Sequence, residues 1–305
     1  MTGKISICIP TFNRLDKLKR TVDSILRQTY VDFEIIISDN CSADNTWNYL
    51  NTLKCEYPGK IKINRNDFNV GMLKNWERCI DMADGLYFIL ISDDDWIDDK
   101  SYLNKMVGSF SQDSGFVFSN INKIKGDVKI SKVNKLIKNQ IKAKELIYSF
   151  FYGEVSIYPS STMYRLKDVK EIRYSYEGIN YAADVGLFLR VLKRYDNVNF
   201  ASECEINYTV SQGLSGSSMQ VKFLDNKILT KIIYESNYDK DIKKAVKYFS
   251  DAGLMGCILY KYKTKRSINF DEIKRVFSEV KFFNSIIFLT KLIKVRLFYW
   301  VGSCA

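Results

Sequence analysis

The chain has 305 residues, of which 46% are hydrophobic and 27% charged, and its formal net charge of +11 predicts an anionic partner: nucleic acid, an anionic membrane surface or a phosphorylated substrate. It contains no histidine. That excludes Ser-His-Asp and Cys-His nucleophile machinery, histidine general bases and most zinc sites, so polar chemistry must rest on carboxylates, lysine, tyrosine or metal-bound oxygen.

The N-terminus runs directly into a strand-like segment, Lys4 to Ile9, without the pattern of a signal peptide, which predicts a cytosolic protein. Strand-length apolar runs then alternate with helical periodicity: Ile5–Ile9, Leu15–Leu26, Phe33–Ser38, Thr46–Leu53, Ile61–Ile63, Val70–Met82 and Leu86–Ser92. This β-α-β-α order predicts an α/β fold with a doubly wound, mostly parallel sheet and helices on both faces. Such sheets bind ligands at the carboxyl ends of their strands. Beyond Asp99 the pattern gives a helix, a strand at Gly115–Ser119, a Lys/Asn-rich hairpin or loop insertion from Lys123 to Lys144, a strand at Ser160–Tyr164, a helix from about Asp184 to Lys193, and strands near Val198 and Ile206. Residues 1–215 form the α/β domain in this reading, and 216–305 a basic, aromatic-rich helical region. The seven cysteines run from Cys8 to Cys304 with no C-x-x-C pair, which fits reduced residues better than a disulfide or zinc framework.

The polar residues gather at successive strand ends. The first strand runs into Pro10-Thr11-Phe12-Asn13-Arg14 and the second into Asp39-Asn40-Cys41-Ser42, where Asp39 suits a hydrogen bond from a nucleobase imide or ribose hydroxyl, or else an Asx turn. Arg65-Asn66-Asp67-Phe68-Asn69-Val70-Gly71 precedes the next helix, whose first turn holds Lys74. The fourth strand ends in Asp93-Asp94-Asp95-Trp96. Adjacent carboxylates repel unless a cation neutralises them, so this cluster points to a hard divalent ion, with a solvated acidic turn as the plain alternative.

Together "ISICIPTFNR", "FEIIISDNCSADNT", "RNDFNVGMLKNWERCIDMADGLYFILISDDDW" and "AADVGLFLRV" resemble the GT-A fold glycosyltransferase family 2 over roughly residues 4 to 210. The resemblance implies an inverting, metal-dependent transferase that moves a sugar from a UDP- or dTDP-sugar to a hydroxyl of a glycan acceptor. It assigns the nucleotide to Pro10, Thr11, Asn13, Arg14, Asp39, Asn66, Asn69, Gly71 and Lys74, with Asp93 and Asp94 beside it. A Mg²⁺ or Mn²⁺ would sit on Asp94 and Asp95. Ser92 occupies the first acid of the family's D-x-D-D pattern, so Asp93 stands in for the usual ribose contact. The family's E-D pair is Ala183-Asp184 here, which gives the general base to Asp184; the bland alternative is an acidic residue favoured by a helix N-terminus. The usual lid histidine or arginine is missing from Ser211–Ser218, leaving Lys222 as its substitute.

From Lys240 onward fourteen basic residues face five acidic ones, interleaved with runs such as Phe282, Phe283, Ile286 and Ile287, and Leu297, Phe298, Tyr299 and Trp300. Basic and aromatic residues at helical spacing read as a membrane-surface helix or as a helix packed on the main domain. Lys291, Lys294 and Arg296 interrupt the best apolar stretch before the ~18 residues of a spanning helix are reached. With the family resemblance, this tail predicts a peripheral protein at the inner face of a bacterial membrane, acting on a lipid-linked oligosaccharide in surface-polysaccharide (O-antigen or capsule) synthesis. No nucleic-acid partner is expected, since no RNP-type or helix-turn-helix signature is present. The competing readings are a nucleotidyltransferase of related fold, whose Gly-rich loop "CIPTFNRLDK" lacks, and a non-catalytic nucleotide- or glycan-binding protein.

Overall fold

Isoleucine-rich strands with no polar face can only be buried on both sides, and the first half of the chain is built on that constraint. In the computed structural model, which describes residues 3–126, 128–134, 138–151, 154–174, 182–210 and 240, β1 (Ile5–Thr11) and β2 (Phe33–Asp39) pair in parallel, β3 (Ile61–Arg65) adds beyond β2, and β4 (Tyr87–Leu90) lies on the other side of β1. Three amphipathic helices make the crossovers: α1 (Leu15–Leu26), α2 (Thr46–Glu56) and α3 (Met72–Met82). Leu18, Val22 and Ile25 form the apolar stripe of α1 at helical spacing and share a core with Ile5, Ile7 and Ile9 of β1 and Ile35 and Ile37 of β2. On the opposite face, Cys8 and Ile36 are covered by α3 through Cys79 and Ile80. Each such fully buried aliphatic side chain contributes ~1.5–3 kcal/mol relative to exposure.

The second half is mixed. After α4 (Tyr102–Gly108) come the long β5 (Ser114–Lys125), β6 (Val128–Val133), β7 (Gln140–Lys142), α5 (Ala143–Phe151), a 3₁₀ turn at Pro159–Ser161, β8 (Thr162–Arg165), α6 (Leu166–Ile172), α7 (Ala183–Val191) and β9 (Asn197–Thr209). The strand order is β3-β2-β1-β4-β8-β5-β9-β7, with β6 on β5. Because β8 is antiparallel to both β4 and β5, the expected mostly parallel sheet is realised in the first four strands and gives way to a mixed one beyond them. The Lys123–Lys144 insertion is a hairpin, β5–β6, followed by the short β7. The two strands expected near Val198 and Ile206 are one strand, β9, with an irregularity where its register against β5 shifts.

The end of the sheet away from the polar loops is closed by charge. Glu34 is fully buried and accepts from Ser6 Oγ at 2.6 Å, with Lys62 at 2.8 Å and Lys4 at 3.1 Å. Gly85 passes so close that an added Cβ would meet the Lys4 carbonyl oxygen at 2.6 Å, so only glycine fits there.

The chain divides into two units, Met1–Ser217 and Ser218–Ala305. The expected membrane-surface helix, the Ser211–Ser218 lid and Lys222 lie outside the described residues. Among the described residues no helix is long and apolar enough to cross a membrane.

Candidate active site

Strand register sets the first row of the site. Thr11, Asp39 and Arg65 end β1, β2 and β3, and the parallel pairing places Thr11 opposite Asp39 and Asp39 opposite Arg65. Asp39 is fully buried. Its Oδ1 accepts from Ser42 N at 3.0 Å, the predicted Asx turn, while Oδ2 lies 3.5 Å from Arg65 Nε and has no hydrogen-bond donor among the described residues. A buried carboxylate oxygen in that state is uncommon, since buried polar atoms are normally hydrogen-bonded. The loop after β1 is tied to the loop after β2: Asn13, in the left-handed region with φ 53°, donates its N–H to Ser42 Oγ and accepts from Ala43 N with Oδ1.

The acidic loop follows β4 directly. Asp93 and Asp94 are each 5% exposed although ionisable, which only partners can sustain. Thr11 Oγ1 donates to Asp93 Oδ2 at 2.8 Å, Arg14 Nη1 reaches Asp93 Oδ1 at 3.0 Å and Asp94 Oδ2 at 3.3 Å, and Lys17 Nζ lies 3.5 Å from Asp94 Oδ2. Burial pushes the Asp93 carboxyl above its ordinary value, against the pull of Arg14 and the Thr11 hydroxyl. Two cations of α1 and its approach thus hold the acid pair. Lys17 was not singled out from the sequence; its place one turn beyond Arg14 on α1 was the available signal.

Asp95, expected to be a metal ligand, has both carboxylate oxygens engaged by the protein. It is fully buried, Ser160 Oγ donates to Oδ2 at 2.6 Å, and Thr209 N donates to Oδ1 at 2.9 Å. Burial pushes its carboxyl up to about 7, so at neutral pH the group is substantially protonated and turned toward the end of β9. Its work is to pin the acidic loop to β9, helped by Thr209 Oγ1 donating to the Asp94 carbonyl. An acid whose folded value is raised from 3.8 takes up a proton on folding, so its contribution to stability falls as pH rises between about 4 and about 7 and is flat above. In metal-free urea denaturation, Asp95→Asn should therefore gain stability over the parent at pH 8 relative to pH 5, by up to about 2.7 kcal/mol, the limit set by ~1.36 kcal/mol per pKa unit between pH 5 and about 7. Parallel pH profiles for the two proteins would count against this role.

Asn66 and Asn69, expected to contact the nucleotide, are joined to a network of asparagines. Asn66 Nδ2 donates to Asn40 Oδ1 at 3.0 Å and Asn75 Oδ1 at 2.8 Å, and Asn69 Oδ1 accepts from Asn40 Nδ2 at 2.8 Å and from Gly71 N at 2.9 Å. Ser38 Oγ and Nδ2 of Asn75 complete this buried network beneath the rim. A satisfied amide network of this kind rigidifies loops that carry few apolar contacts. Asn40 and Asn75 were not flagged because only their tertiary partners reveal them. Gly71 holds φ 85° immediately before α3, a value that favours glycine, and Lys74 is exposed on the first turn of that helix.

Asp184 is half-buried in the first turn of α7, with Oδ1 accepting from its neighbour Val185 N at 2.9 Å. Burial first, with the Asp184 charge as a further cause, pushes the Tyr164 and Tyr174 hydroxyls well above their ordinary values.

Hard carboxylate oxygens suit Mg²⁺ or Mn²⁺, which bind through one or two carboxylates and take their remaining ligands from phosphate and water. Asp93 and Asp94 meet that description. Among the described residues no group of three or more His, Cys, Asp or Glu is arranged to hold an ion.

The family profile "Glycosyl transferase family 2" matches residues 6–173, more than half of the chain and the stretch that holds Thr11, Arg14, Asp39, Asp93 and Asp94. The chain belongs to glycosyl transferase family 2. Its sheet is the GT-A fold: S. aureus TarS residues 1–349, solved in complex with UDP-GlcNAc, aligns with a TM-score of 0.66 at 17% identity, covering 82% of this chain and 71% of that one. Among curated relatives, the abequosyltransferase RfbV of Salmonella typhimurium is 37% identical over 93 residues, 30% of this chain and 28% of its own. The UDP-Glc:alpha-D-GlcNAc-diphosphoundecaprenol beta-1,3-glucosyltransferase WfaP of Escherichia coli is 35% identical over 97 residues, 32% of this chain and 38% of its own. The matches thus span well under half the length of these family 2 relatives.

Proposed function

We propose that the chain is an inverting glycosyltransferase that moves a sugar from a UDP- or dTDP-sugar to a hydroxyl of a lipid-linked glycan during bacterial surface-polysaccharide synthesis. The observation that carries this reading is the buried, undonated Oδ2 of Asp39 in register with Thr11, beside the Arg14–Asp93–Asp94 cluster. An acceptor of that kind matches the imide N–H of uracil or thymine, which cytosine lacks, while Arg14 and Lys17 supply positive charge for a diphosphate. WfaP, whose name specifies a UDP-Glc donor and a diphosphoundecaprenol acceptor, supports the substrate class.

Asp94, with Asp93 beside it, would hold a Mg²⁺ or Mn²⁺. When bound, the ion neutralises charge on the leaving diphosphate, worth several kcal/mol in transition-state stabilisation. The chain's own groups do the rest. Asp39 orients the base, Arg14 and Lys17 can pass from the carboxylates to the phosphates, and Asp184 removes the proton from the acceptor hydroxyl as that oxygen attacks the anomeric carbon. One C–O bond forms as the sugar–phosphate bond breaks, the nucleoside diphosphate leaves, and the configuration inverts.

Asp39→Asn tests the base contact. A charged acceptor replaced by an amide should weaken UDP binding on the order of 10- to 100-fold, the worth of one charge-assisted hydrogen bond, with CDP affected little. Equal UDP affinity in parent and variant would remove Asp39 from the site.

The acceptor proposal includes a peripheral place on the inner face of the membrane through the basic, aromatic residues after Lys281. Truncation after Lys281 should abolish co-flotation with anionic phospholipid vesicles while leaving UDP binding intact; undiminished flotation would remove the tail from the account.

A further inference from the structure

A recess of about 530 Å³ opens beside Trp96, and none of the residues assigned above to the nucleotide or metal lines it. Its volume lies within the ~300–1,000 Å³ of small-molecule sites. We propose that it binds a neutral saccharide, one or two sugar units of a glycan. As the place where acceptor or product glycan rests, it depends on the transferase reading; as a binding site it does not.

The chemistry of the walls selects the ligand class. Carboxylates at Asp98, Asp99, Glu203 and Glu205 outnumber the cations Arg20 and Lys129, which disfavours a phosphate or nucleotide. The polar groups are planar and already oriented: Asn207 Nδ2 donates to Asp98 Oδ2 at 2.8 Å, Trp96 Nε1 to Asp98 Oδ1 at 3.1 Å, and Asn122 Nδ2 to Glu205 Oε2 at 3.0 Å. Asn122, only 7% exposed, keeps an Oδ1 with no hydrogen-bond donor among the described residues. A sugar supplies what such a wall lacks: adjacent hydroxyls, each both donor and acceptor, with apolar C–H faces between them. Trp96 and Ile124 provide apolar surface for those faces. Trp96 is itself fixed by the Arg20 guanidinium, 3.7 Å from the ring centroid.

The recess is joined to the acidic loop by backbone. Trp96 follows Asp95 directly, Arg20 Nη2 donates to the Asp94 carbonyl at 3.2 Å, and Trp96 and Asn207 exchange backbone hydrogen bonds at 3.2 and 2.9 Å. A saccharide held there would sit one residue from the loop that carries Asp93 and Asp94, and would not compete with nucleotide.

The test is saturation-transfer NMR on the full chain with the methyl glycosides of glucose, galactose and N-acetylglucosamine and with lactose, each titrated to 50 mM, with and without saturating UDP and Mn²⁺. At least one sugar should give a saturable signal that survives UDP and weakens tenfold or more in Asn122→Leu and in Trp96→Leu. Glu205→Gln, which keeps the shape, guards against loss of fold and should weaken binding at least threefold. Absence of any signal, a signal abolished by UDP, or equal binding in all three variants would overturn the proposal. UDP binding in the same samples reports on the nucleotide site separately, so failure here leaves that reading standing.

Discussion

Purified Asp184→Asn protein is expected to bind donor nucleotide like the parent and to transfer sugar ~10²–10⁴-fold more slowly, the usual contribution of a general base. Asparagine keeps an Oδ1 to accept from Val185 N, so the first turn of α7 retains its local bond while the residue loses its capacity to take a proton. Single-turnover rates beside calorimetric donor binding separate the two effects. A rate equal to the parent's would return Asp184 to the role of an acidic helix terminus.

The second large effect is expected from Asp94→Ala. Arg14 and Lys17 are both engaged by the Asp94 carboxylate, at 3.3 and 3.5 Å. Its removal would delete the proposed metal ligand and free Lys17 for phosphate, while Arg14 keeps Asp93 at 3.0 Å. Metal-free UDP affinity should therefore hold or rise, while the gain on adding Mn²⁺ should shrink at least tenfold, about 1.4 kcal/mol. Titrations with and without Mn²⁺ measure both. An undiminished Mn²⁺ effect would mean that the ion is held elsewhere.

The two halves of the chain differ in how much of them could be read beforehand. α1 lies at Leu15–Leu26 as expected, because its apolar residues keep strict helical spacing against a strand with no polar face. β5 runs on to Lys125 and β9 spans Asn197–Thr209, and both were underestimated because Asn, Lys and Glu alternate through them. Their polar segments are held by pairing with each other, a long-range fact that no local window contains. Proximity of Thr11, Arg14, Asp39, Asp93 and Asp94 followed from motif order and sheet topology together. Division of labour inside the acidic run did not: three consecutive aspartates look equivalent, and only the positions of Ser160 and Thr209 turn Asp95 inward. The asparagine network behaves likewise, since Asn40, Asn66, Asn69 and Asn75 are unremarkable singly and form one unit once β2 and α3 are packed.

The most direct test of the nucleotide-sugar assignment is calorimetric titration of UDP, dTDP, GDP and CMP into the full chain, with and without Mn²⁺, and repeated on Asp94→Ala. Tight binding of UDP or dTDP, strengthened by Mn²⁺ in the parent and not in the variant, is the predicted result. Failure of all four to bind under either condition would contradict the account and leave the GT-A fold supporting a non-catalytic binding protein.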